Sequence, residues 1–241
     1  MSRPRIAAVS AVGALLVITL PGAAHAFPPY RSTDAETAGA DVVELRLGLL
    51  RIQRSDGESN RLTPLSRLNI GMGDHYEIIN ELEYSPDDHR LDEGALGFKW
   101  ANLDGTLGFG VETLALLPVQ SDQGGAGIES QFLTTLKHDE WRLHFNAGAF
   151  YDPRGDDTVR GWRGSVLAEF PRERWRPGIE LFTRRAHGGE TRSQLGFGAI
   201  TQLERIEIRT GIHVGLSDAA PDVEGSLWLS WSWDRGNGDG R

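Results

Sequence analysis

Across the last two thirds of the chain, apolar and polar residues alternate in segments of about ten, and the gaps between segments run short, long, short, long. Successive side chains of a strand point to opposite faces. Trp141, Leu143, Phe145, Ala147, Ala149 and Tyr151 therefore share one face of a single strand, while Arg142, His144, Asn146 and Gly148 share the other. A strand of this length, at about 3.3 Å per residue and tilted by about 40°, rises roughly 25 Å, the height of the apolar band of a membrane-spanning barrel. Aromatic residues at both ends of the segment suit the two membrane interfaces.

The same pattern predicts about twelve strands, an even number as bacterial single-chain barrels require. Their spans are 42–52, 65–71, 75–84, 92–101, 106–117, 128–137, 141–151, 159–170, 178–185, 192–202, 206–216 and 223–233. Pro177 lacks an N–H for an interior ladder and is placed just before the ninth strand. The eleventh strand alternates most regularly, with Ile206, Ile208, Thr210, Ile212, Val214 and Leu216 opposed to Glu207, Arg209, Gly211, His213 and Gly215. The connections at 72–74, 102–105, 138–140, 171–174 and 203–205 are tight, whereas 53–61, 85–90, 118–127, 152–158, 187–191 and 217–222 are mostly longer. Short periplasmic turns and longer outer loops are the habit of outer-membrane barrels, so both termini belong on the periplasmic side.

The first residues read as an address. Arg3 and Arg5 precede an apolar run from Ile6 to Leu20, which Pro21 and Gly22 break ahead of Ala24-His25-Ala26, a small-x-small cleavage signature. Residues 1–26 are thus expected to be a cleaved signal peptide, 27–41 a disordered periplasmic lead-in, 42–233 the barrel and 234–241 a polar tail. The apolar run is too short for a membrane helix, and the mature part contains no longer one, so a closed sheet is the only way this chain crosses a bilayer. With Cys 0 there is no disulfide framework and no thiolate metal site. Loss of Arg3 and Arg5 leaves 23 basic against 34 acidic residues, a net charge of −11, which disfavours nucleic acid as a partner. Gly 30 suits tilted strands that curve around a barrel.

Two stretches resemble a known family. Gly71-Met72-Gly73-Asp74 leads into the alternation of Tyr76, Glu77 and Ile78 within 65–84. In 108–151 a strand ends in Leu117-Pro118, and a Gly-rich loop and a strand follow before Trp141-Arg142-Leu143-His144-Phe145-Asn146-Ala147-Gly148. Together they resemble the outer-membrane proteins of the meta-pathway phenol-degradation family, a likeness that spreads over most of the mature chain. The resemblance implies a transporter barrel passing small, aromatic or hydrophobic compounds, without a residue-level mechanism. The chain departs from the common barrel ending on a terminal aromatic, because 234–241 continues past Trp233.

The polar faces carry the candidate lumen residues: Glu112, Arg142, His144, Asn146, Glu180, Glu207, Arg209 and His213, with Trp228 as an inward aromatic. Rings of charge select solutes in narrow pores, and the same residues also serve as salt bridges across a filled interior. About twelve strands lie between barrels filled by side chains and open porins, so a passage through this one is narrow. A channel needs no cofactor, metal or catalytic residue; its expected partners are outer-membrane lipid, lipopolysaccharide, a small solute and the barrel-assembly machinery. Asp87-Asp88 and Asp156-Asp157 are loop acids able to share divalent cations with lipopolysaccharide or simply to be solvated. Two alternatives stand beside the channel. One is an outer-membrane lipid-modifying enzyme, for which His144 with Ser165 and Glu169 is the available grouping. The other is a soluble periplasmic ligand-binding barrel, which needs its apolar rows inward.

Overall fold

The computed structural model describes residues 28–235 apart from 56–57, 63–64 and 86–88. The proposed signal peptide, its cleavage site and Asp87-Asp88 lie outside the described residues, as does the tail beyond Arg235. The strands are β1 (Val42–Ser55), β2 (Glu58–Leu62), β3 (Leu65–Gly71), β4 (Tyr76–Ser85), β5 (Arg90–Asp104), β6 (Leu107–Leu117) and β7 (Gly127–Lys137). They continue as β8 (Arg142–Asp152), β9 (Val159–Glu169), β10 (Trp175–Ala186), β11 (Thr191–Leu203), β12 (Ile206–Gly215) and β13 (Val223–Asp234).

From β3 onward each strand pairs antiparallel with the next in sequence, and β13 pairs with β1 from Val42↔Asp234 to Arg54↔Val223. That last pairing closes the sheet through β1, and among the described residues only the short β2 has a ladder on one side alone. Both β2 and β3 pair with β1, the former on its upper part and the latter on its lower part, so together they make one stave of a 12-stave meander. The expected loop at 53–61 is therefore largely ladder, with Gln53↔Asn60 and Ser55↔Glu58 paired. The sequence does not reveal it because Glu58-Ser59-Asn60-Arg61 has no apolar alternation. Pro177 is paired within β10 instead of preceding it, opposite Ala199. The ladder to β9 begins one residue later, at Gly178↔Glu169.

The apolar rows point outward. Leu96 at 51% and Phe132 at 50% are exposed, whereas Lys99 and Gln131 on the same strands are buried at 3% each. Inverting the usual relation between hydrophobicity and burial places hydrocarbon outside and polar groups inside. The soluble barrel with inward apolar rows is thereby excluded. Trp175, Trp231, Trp233 and Tyr76 mark the end carrying both termini, and Tyr84, Tyr151 and Trp162 mark the other. A register shift between Gly48 and Leu50 keeps the alternation productive in β1, because the extra residue returns Gln53 to the buried face while Ile52 stays exposed.

Residues 28–40 are not a disordered arm. They run through the lumen as an irregular extended segment, with Tyr30, Ser32, Thr33 and Ala35 at 0–2% exposure. The lack of sequence period reflects a chain that is neither strand nor helix, and wall side chains bind five of its N–H groups and three of its carbonyls. Three inward glycines, Gly178, Gly198 and Gly211, are lateral neighbours on β10, β11 and β12 and form a bare strip on the inner wall. Pro29 and Tyr30 occupy it, since a Cβ at any of the three would meet one of these residues within 2.8 Å. At the terminal end Gly39 (φ 92°) and Asp41 (φ 59°) turn the segment back into β1. Arg235 holds this bend by donating its main-chain N–H to the Asp41 carbonyl at 2.7 Å, and its guanidinium donates to the Gly71 carbonyl at the end of β3 at 2.6 Å.

Candidate functional site

The lumen wall is a set of linked ion pairs around buried arginines. Arg67 on β3 donates to Glu81 at 2.6 Å and to Glu112 at 2.8 Å, while its Nε donates to Asn69 at 3.0 Å. Gln131 then donates to the other Glu112 oxygen at 3.0 Å. Nearer the termini, Glu44 accepts from Arg46 at 2.5 Å, Arg209 at 2.9 Å, Asn69 at 3.2 Å and the Ser230 hydroxyl at 2.6 Å. Towards the loops, Arg163 pairs with Glu129 and Arg184 lies 3.6 Å from the same carboxylate. The Arg184 guanidinium also stacks 3.8 Å from the Phe150 ring centre. Buried charges persist only when they are partnered like this.

Residues 28–40 complete these networks. Arg31 reaches both oxygens of Glu224 at 2.6 Å, and Glu224 accepts from Arg51 at 3.1 Å. Asp34 lies 3.1 Å from Lys99, and Glu36 pairs with Lys137 at 2.8 Å. Main-chain contacts are more numerous than these side-chain ones. The N–H groups of Arg31 and Ser32 donate to the two oxygens of Glu180 at 2.8 and 2.5 Å. Asn146 accepts from the Thr33 N–H at 2.7 Å and donates to the Thr33 carbonyl at 2.8 Å. The N–H of Ala35 donates to Thr135 at 2.8 Å and that of Ala38 to Glu77 at 2.7 Å.

All nine candidates face the lumen, in different company. Glu112 is held by Arg67 and Gln131, and Glu207 by Arg209. Arg209 also binds Glu44 and donates to the Pro28 carbonyl at 3.0 Å. His213 contacts Glu180 at 3.0 Å, and Trp228 lies buried beside Gly48. Asn146 and Glu180 touch residues 31–33 directly. Arg142 is the most open of the arginine candidates, partly exposed and 3.9 Å from Glu36. His144 lies between Thr135 at 3.0 Å and Glu169 at 3.1 Å, while Ser165 bonds to Asn146 and Ser32 instead. The His144–Ser165–Glu169 grouping is therefore not assembled.

Sequence reasoning places Glu44 inward without singling it out and missed Arg67, Lys99, Arg163, Glu129 and Glu224, all of which bind as many partners as the residues it singled out. Their inward position follows from the same alternation. It missed the lumen segment because residues 28–40 carry no apolar period. A polar cavity of about 180 Å³ remains at the terminal mouth, bordered by Asp34, Glu36, Glu77, Lys99, Arg176 and Glu207 among others. Asp156 and Asp157 are exposed in the loop after β8.

No protein-family model matches the chain, so the resemblance to the meta-pathway phenol-degradation family is not confirmed, and no curated protein matches it. Among solved structures it is similar to a porin refined at 1.8 Å, with 9% identity over 72% of this chain and 63% of that one, TM-score 0.44. The chain thus spans less than two thirds of that porin. It is also similar to a bacterial polysaccharide outer-membrane secretin, with 10% identity over 80% and 98% of the two chains, TM-score 0.47. The toluene transporter TodX of Pseudomonas putida is matched with 9% identity over 79% and 87%, TM-score 0.38. Scores of this size fix neither family nor activity.

Proposed function

We propose that the protein is an outer-membrane channel for small solutes whose passage is closed at rest by its own residues 28–40. One observation carries this reading: the barrel is complete without the segment. β1 pairs with β3 on one side and β13 on the other, and residues 28–40 contribute no strand to the sheet. Side-chain hydrogen bonds hold them in place, so withdrawing the segment breaks no ladder, and the inner wall carries ion-paired residues beside an apolar cluster of Ile79, Ala95, Leu114 and Leu116. The outward apolar rows and the aromatic residues at both ends favour a lipid environment. Loop lengths favour termini on the periplasmic side, where the segment leaves the lumen.

Passive passage assigns no catalytic role to any lumen residue. Planar-bilayer recording of purified, folded protein tests the reading: the full chain should give brief openings from a closed baseline, and loosening the segment should lengthen them. Cleavage of lipid esters without conductance or solute flux would overturn it in favour of the enzyme.

A further inference from the structure

We propose that the lumen is a binding site for the main chain of an extended peptide, and that it accepts such a peptide supplied from outside the molecule. The inference rests on the reading of residues 28–40 as a removable segment and names the chemistry that can take its place. Five N–H groups, of residues 31, 32, 33, 35 and 38, and three carbonyls, of residues 28, 31 and 33, are bound by wall side chains. The six wall residues responsible, Glu77, Thr135, Asn146, Arg163, Glu180 and Arg209, come from six different strands. Acceptors meet N–H groups, and two arginines and the Asn146 amide meet carbonyls, as a β-strand would do for a partner, except that side chains do the work. Every peptide has these groups whatever its sequence.

Side chains are recognised beside the main chain. Arg31, Ser32, Thr33, Asp34 and Glu36 are held through their own functional groups and Pro29 and Tyr30 fill the glycine strip, whereas Ala35 and Ala38 contribute only their amides. A bore with fixed acceptors and donors spaced for an extended chain retains that spacing when the resident segment leaves, because the wall residues also bind one another. Asn146 stays tied to Ser165, and Glu180 to His213. The site is therefore preorganised for amide-bearing chains.

Proline substitutions test this without touching the wall. In the full chain, Ser32→Pro, Thr33→Pro and Ala35→Pro together remove three donating N–H groups and weaken the resident segment. Folding is checked by heat-modifiable migration in electrophoresis. The variant, in detergent micelles, is titrated with two fluorescein-labelled peptides: one of residues 28–40, and one in which Arg31, Ser32, Thr33, Asp34 and Glu36 are all alanine. Binding is read by anisotropy. Both peptides should bind, with affinities within about tenfold of each other, and each should bind the variant at least about tenfold better than it binds the unmodified chain. Binding by neither peptide overturns the site, and binding by the native-sequence peptide alone overturns main-chain recognition.

If the triple variant does not fold, Ala35→Pro against Ala35→Ser supplies the same comparison, since serine keeps the N–H that proline lacks. Equal peptide uptake by that pair counts against the inference. Bilayer recording separates the two readings: a variant that binds peptide but never conducts refutes the channel and leaves the site, while one that conducts and binds neither peptide does the reverse.

Discussion

Replacing Asn146 by alanine should shift the protein from mostly closed to frequently open. In the closed state the carboxamide accepts from the Thr33 N–H at 2.7 Å and donates to the Thr33 carbonyl at 2.8 Å, and Asn146 is 5% exposed. Each such bond is worth about 0.5–1.5 kcal/mol net, and a main-chain group left buried without a partner costs about 1–3 kcal/mol. When the segment has withdrawn, the same Thr33 groups bond to water, so the loss falls on the closed state alone. A total of about 2–4 kcal/mol corresponds to a factor of roughly 30 to 1,000 in the closed-to-open ratio, at about 1.4 kcal/mol per tenfold. The assay is single-channel recording of dwell times in planar bilayers. Gln131→Ala provides the control, because Gln131 is also buried on the wall but bonds to Glu112 and not to the segment. A change in open probability below about threefold for Asn146→Ala, or an equal change for Gln131→Ala, would refute the reasoning.

Three further outcomes follow from the arrangement of charge and surface. Arg67→Met leaves Glu81 and Glu112 facing each other without their common cation, and should lower unfolding stability by about 3–5 kcal/mol in urea titrations. Adding Glu81→Gln and Glu112→Gln should recover most of it, and a loss under about 1 kcal/mol would mean that water already screens the cluster. Val166→Arg puts a charge on the outer wall, where Val166 is 41% exposed, and should cost about 2–4 kcal/mol if that position is near the bilayer midplane; thermal scans in lipid vesicles check it. Arg142→Glu, at a partly open position beside Glu36, should move reversal potentials towards cation preference while leaving folding intact. An unchanged reversal potential would make Arg142 a structural residue.

The barrel wall was legible because a sheet facing lipid on one side and water on the other must alternate with period two along every strand. β12 illustrates this: Ile206, Ile212 and Val214 are exposed and Arg209 and His213 buried, as their alternation demands. The shift at Gly48 and Leu50 was not legible, since the apolar run around it is compatible with either face. Partners of the buried charges were illegible as well. Arg67 meets Glu112 only because β3, β4 and β6 curve around a common interior, a consequence of closure and not of local pattern. The segment at 28–40 left no periodic trace. Its seat did leave one, in the inward glycines Gly178, Gly198 and Gly211, which give up side-chain volume at one place on three consecutive strands. A wall that empties itself locally makes room for something, and composition alone had credited those glycines to strand curvature.

The central claim, that residues 28–40 close a bore that is otherwise open, is tested most directly by tethering the segment. The chain has Cys 0, so Ala35→Cys with Thr135→Cys introduces the only thiols. The two sites are already in contact, with the Ala35 nitrogen 2.8 Å from the Thr135 hydroxyl. Under oxidising conditions the tethered protein should show no openings in planar bilayers, and reductant added to the same bilayer should restore them. Conductance that is the same before and after reduction, with the disulfide shown to form and break, would contradict the account.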